Sequence, residues 1–134
     1  RHRHLVVAEL QRRLAADDFA SARDKLYARE RILVSEEPSE LRTPVQAIRI
    51  GGLGLAALPG EVFCRLGLDL KAASPAATTF VVELANDYVG YVPTREAFGE
   101  GGYETWLARS AKVAPGTGEA MVEAASGLLR KLFA

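Results

Sequence analysis

The apolar positions change period along the chain, and the changes divide it into elements. Residues 4 to 15 set Val6, Val7, Leu10 and Leu14 on one stripe at helical spacing. Asp17 or Asp18 reads as the N-cap of a second helix, whose stripe runs Phe19, Ala22, Leu26 and Leu33 with charged residues between. Pro38 and the polar stretch 35–43 stop that helix. These residues carry many charges and few bulky apolar groups. They are expected to form an exposed helical hairpin, or helices that pack on further chain.

From residue 43 the period shortens to that of a strand. Val45, Ala47 and Arg49 alternate with Gln46, Ile48 and Ile50, Gly51-Gly52 is a two-residue hairpin signal, and Leu53, Leu55 and Leu58 follow before Pro59-Gly60. Val62, Phe63, Leu66, Leu70 and Ala73 return to helical spacing, with Glu61 expected in the first turn of that helix and Ser74-Pro75 ending it. Residues 78–84 (TTFVVEL) are apolar or β-branched at nearly every position, which predicts a strand buried on both faces. Strand, helix and strand then make a βαβ unit with parallel strands and a right-handed crossover. Residues 86–102 are loop-rich, and Gly101-Gly102-Tyr103-Glu104 reads as a flexible turn into a short strand. Met121, Val122, Ala125, Leu128, Leu129, Leu132 and Phe133 give a last amphipathic helix.

The predicted fold class is α/β: a small mixed sheet with a β-hairpin and a βαβ unit, flanked by N-terminal helices and a C-terminal helix. Its 134 residues suffice for a single domain, helical over 1–42 and α/β over 43–134. The 17 basic and 17 acidic residues cancel, so no basic excess exists to pair with phosphates, and no nucleic-acid partner is expected. No apolar run approaches the roughly 18 residues a spanning helix needs. Cys64 is the single cysteine, which rules out an intramolecular disulfide and a cysteine-based zinc site. The chain opens Arg1-His2-Arg3-His4 without Met, and the simplest expectation is that upstream sequence has been removed. The cellular compartment stays open.

Ligands of open α/β sheets bind beyond the carboxyl ends of parallel strands. Two segments fall there: Leu58-Pro59-Gly60-Glu61 and Asn86-Asp87-Tyr88-Val89-Gly90-Tyr91. Position alone gives each a plainer reading as well. Glu61 would be a first-turn carboxylate favoured by the helix dipole. Tyr88 and Tyr91 would be half-buried loop aromatics, and Asn86-Asp87 turn residues. His2 and His4, the only histidines, are two apart and do not share a helical face. A serine triad or a cysteine–histidine pair therefore lacks its base, and Cys64 reads as a small apolar residue.

Three stretches, VQAIRIGGLGLAALPGEVF, VVELANDYVGYVPTREAF and GGYETW, resemble the neutral/alkaline non-lysosomal ceramidase family in its divergent bacterial branch. The resemblance covers residues 43 to 133 and implies the C-terminal portion of the catalytic domain. It implies a zinc-dependent amidase that cleaves N-acyl-sphingosine to a sphingoid base and a fatty acid. Glu61 and Tyr91 would be zinc ligands, with Asn86 and Tyr88 as supporting or substrate-lining residues. The family's two histidine ligands belong to the upstream part of its domain and match neither His2 nor His4. The implied partners are the upstream part of the same polypeptide and a lipid-like amide substrate. The fragment alone would then be inactive and would not hold zinc. The alternative is a non-catalytic α/β binding or assembly module that takes a partner on its strand-end loops; a homo-oligomer of the fragment burying residues 1 to 40 would favour it.

Overall fold

The computed structural model describes residues 2–134, with the side chains of residues 2–5 outside the described part. The reading of His2 and His4 as facing apart therefore lies outside the described residues. Helix α1 spans His2–Ala15 and helix α2 spans Ala22–Glu36. The turn between them corrects the expected cap. Asp17 takes a left-handed φ of 53°, and Asp18 N–H donates back to the Arg13 carbonyl at 3.0 Å, so the two aspartates end α1 instead of starting α2. Ser21 is the N-cap of α2, its hydroxyl accepting from Asp24 N at 3.1 Å. The buried side of α2 also differs from its predicted stripe. Ala28 is buried, whereas Ala22 and Leu26 are exposed, so the side of α2 that faces inward is not the side of the predicted stripe.

The sheet follows the predicted order. Strand β1 (Gln46–Ile50) turns through Gly51-Gly52 into antiparallel β2 (Leu53–Ala57), with Ile50 opposite Leu53. Gly51 sits at φ 59°, the sign that the first central residue of a II′ hairpin turn requires. Strand β3 (Glu61–Val62), helix α3 (Cys64–Ala73) and strand β4 (Thr78–Val82) follow. Strand β4 pairs parallel to β2, giving the order β1-β2-β4. Beyond it lie β5 (Tyr91–Val92), α4 (Arg95–Glu100), a 3-10 turn at Tyr103–Thr105 and α5 (Thr117–Phe133). The segment after Gly101-Gly102 is thus a 3-10 turn, where a short strand was expected.

Helices α3 and α5 cover one face of the sheet. Leu66 and Leu70 from α3 meet Met121, Ala125 and Leu129 from α5 over Ala56. Each fully buried leucine contributes on the order of 1.5–3 kcal/mol. On α5 the predicted stripe forms the buried side at Met121, Ala125 and Leu129, while Leu132 turns outward. Strand β4 is not buried on both faces: Thr78, Phe80 and Val82 are exposed, and Val81 alone of its valines packs on the core. Helices cover this sheet on a single side, so an unbroken apolar run does not imply two covered faces.

Candidate functional site

The site lies where the chain leaves β2 and β4. Leu58 and Pro59 are fully buried and carry the chain from β2 to β3. A lattice of backbone bonds fixes this crossing. Leu58 N donates to Val82 O at 2.8 Å, Ala85 N to Leu58 O at 3.0 Å, Leu84 N to Gly60 O at 3.1 Å and Val89 N to Pro59 O at 2.9 Å. A Cβ on Gly60 would stand 2.6 Å from the Gly90 carbonyl oxygen, so residue 60 must be glycine for the loops to close.

That closure sets Glu61 beside Tyr91. Strands β3 and β5 run parallel with Glu61 opposite Tyr91 and Val62 opposite Val92, and Glu61 N donates to Gly90 O at 3.0 Å. Glu61 is therefore a strand residue, three positions before α3, and not a carboxylate of that helix's first turn. The helix dipole does not explain its presence. Its extended backbone follows from pairing with β5, a contact distant in sequence. Val62 N is in turn held by the Glu83 carboxylate at 3.0 Å.

Tyr88 and Tyr91 stand by the Glu61 carboxylate, and Tyr103 stands against Tyr91. Tyr88 Oη donates to Glu61 Oε1 at 2.9 Å. That bond, together with partial burial and the carboxylate's charge, holds the Tyr88 phenol above its ordinary range. The Tyr91 ring meets the Tyr103 ring edge-on, with centroids 5.5 Å apart. The hydrogen bond with Tyr103, then partial burial and the charge of Glu61, push the Tyr91 phenol up to about 12. Asn86 stands apart from this group: its amide donates to Gln46 Oε1 at 3.2 Å, and its φ of 69° serves the turn after β4. Of the four residues singled out in the sequence, the structure thus joins Glu61, Tyr88 and Tyr91 and sends Asn86 to β1. Tyr103 was not singled out. Its signal lay in the GGYETW stretch, but its place against Tyr91 depends on the loop after α4.

A carboxylate with phenol oxygens beside it presents oxygen donors of the kind that hold cations. Carboxylate oxygen is an ordinary zinc donor. Glu61 and Tyr91 thus offer a carboxylate and a phenol oxygen from paired strand positions. Among the described residues, no three His, Cys, Asp or Glu side chains converge on one point.

No family model and no curated protein matches the sequence. Solved structures do. The neutral ceramidase from Pseudomonas aeruginosa aligns with a TM-score of 0.59 at 26% identity, over 67% of this chain and 15% of that one. A ceramidase complexed with C2 aligns with a TM-score of 0.55 at 26% identity, over 66% of this chain and 15% of that one. These neighbours support a ceramidase-like family relationship, and the chain matches about 15% of their length.

Proposed function

We propose that this chain supplies the Glu61–Tyr91 half of the metal site in a zinc-dependent amide hydrolase of the neutral ceramidase type. Its substrate would be a lipid-like N-acyl amide such as ceramide, cleaved to a sphingoid base and a fatty acid. The remaining ligands would come from polypeptide beyond these residues, so the chain alone would be inactive. The observation that carries this reading is the register pair Glu61 opposite Tyr91, in a chain whose structural relatives are ceramidases.

Zinc, when bound, supplies Lewis-acid polarisation of an amide carbonyl and acidifies water towards a pKa of about 7. The residues of this chain would hold and orient it. Glu61 offers a carboxylate on a strand whose backbone is bonded on both sides, so its reach is fixed before any ligand arrives. Tyr88 occupies one carboxylate oxygen and leaves the other free to coordinate. Tyr103 packs against the Tyr91 ring and limits its swing.

The test uses the protein expressed from its complete gene. Glu61→Gln and Tyr91→Phe should each lower bound zinc, read by elemental analysis, and abolish hydrolysis of a fluorescent N-acyl-sphingosine. Loss of an outer-shell partner costs about 10–100-fold in affinity or activity, and loss of a direct ligand should cost more. Wild-type zinc content and turnover in both variants would sink the assignment.

A further inference from the structure

Among the described residues, the face of the sheet away from α3 and α5 is bare and apolar. Register sets Ile48, Leu55 and Phe80 in one row across it, with Ile50 and Leu53 in the row on one side and Ala57 and Val82 in the row on the other. Ile50 is 62% exposed and Phe80 54%, and Ile48 and Val82 are also open. The polar members of these rows, Gln46 and Thr78, stand at opposite corners. The helix-covered face carries Ala47, Arg49, Gly54, Ala56, Thr79 and Val81 in the alternate positions, so the bulkier apolar side chains lie on the uncovered side. An uncharged patch of this kind is rare on a free surface and marks a contact.

The patch runs on to the candidate site. Leu84, 55% exposed, stands just past β4 with a φ of 55°, a rare conformation for a bulky residue. Leu84 N is bonded to the carbonyl of Gly60, the residue before Glu61. Whatever covers Leu84 therefore stands beside the Glu61–Tyr91 edge. The aligned ceramidase chains extend far beyond the matched region, which is 15% of their length.

We infer that the bare face, Ile48, Ile50, Leu55, Phe80, Val82 and Leu84, seats an apolar layer from the remainder of a ceramidase-like catalytic polypeptide. The same layer reaches the Glu61–Tyr91 edge. The inference rests on the proposed metal-site reading for its occupant, and on the exposed rows for its location. One occupant then meets two needs at once: it covers the apolar face, and it delivers further ligands to an edge where two oxygen donors already wait.

Thiol accessibility tests this. In a Cys64→Ser background, needed because Cys64 is exposed, Ile50→Cys and Phe80→Cys are labelled with a maleimide, with rates normalised to the urea-unfolded protein. Both should react freely in the isolated chain. In the protein from the complete gene they should react about tenfold more slowly or less, as groups do that react only through local opening. Phe80→Lys should leave the melting temperature of the isolated chain unchanged and lower that of the complete protein. Free labelling of both cysteines in the complete protein overturns the inference. So does protection of the isolated chain that grows with its concentration, which would make a second copy the occupant. Zinc content of the same preparations separates the two proposals. Protected cysteines without zinc keep the interface and sink the metal site, whereas bound zinc with unprotected cysteines does the reverse.

Discussion

Tyr91 holds its phenol at about 12 because Tyr103 bonds it and Glu61 repels its anion. An unfolded tyrosine titrates near about 10. The folded chain thus binds this proton more tightly than the unfolded one. The contribution to stability is complete below the unfolded value and is lost as pH rises from about 10 to about 12. Thermal melts across that window should show a fall in stability that is shallower in Tyr103→Phe. Ultraviolet titration of that variant should bring one phenol back towards the ordinary range; an unchanged titration curve would remove Tyr103 from the account. Glu61, Tyr88 and Tyr91 were marked in the sequence because strand ends collect ligands, and the structure brings them together, whereas the left-handed turn at Asn86 sends its amide to Gln46.

Among elements, the pairing of β3 with β5 depends on Gly60, and its stability on the core beneath. Gly60→Ala puts a methyl group against a backbone oxygen that cannot rotate away. Overpacking of this kind costs about 1–3 kcal/mol, which urea unfolding would measure, and amide exchange at Glu61 should quicken selectively. Leu70→Ala, at a fully buried position of α3, should cost about 2–5 kcal/mol by the same measurement without that selective loss. A wild-type midpoint for Gly60→Ala would show that the loops can part without cost. The hairpin, α3, β4 and α5 were legible from period and turn residues, which are local signals. Strands β3 and β5 were not, because two-residue strands carry no period, and their pairing joins segments 30 positions apart.

Across the whole molecule, ion pairs tie the helical hairpin to the segment after the 3-10 turn. Arg109 grips Glu30 through Nε at 3.0 Å and Nη2 at 2.7 Å, and Lys112 reaches Glu37 at 2.7 Å. The Arg109 guanidinium holds the Glu30 carboxyl below its ordinary range. A lowered carboxyl stabilises the fold above its unfolded value, about 4.3, and that gain is lost as pH falls through the folded value. Arg109→Ala should therefore lower the melting temperature at neutral pH and flatten the acid limb of the stability curve. An acid limb as steep as the wild type's would assign the acid sensitivity elsewhere. The sequence marked the hairpin as charged and weakly apolar, but its partners 75 or more positions away were invisible to spacing.

By itself the sequence determined the order and kind of the main elements, since helical and strand periods and turn chemistry act over a few residues. It also pointed to the segments expected to carry chemistry, through the rule that strand ends collect ligands and through the ceramidase resemblance. Tertiary structure alone decided that Glu61 is a strand residue paired with Tyr91, that Tyr88 and Tyr103 close on that pair, and that one sheet face stays bare. These outcomes depend on backbone bonds and packing between distant segments, and the free energy of such contacts is not written in any local pattern.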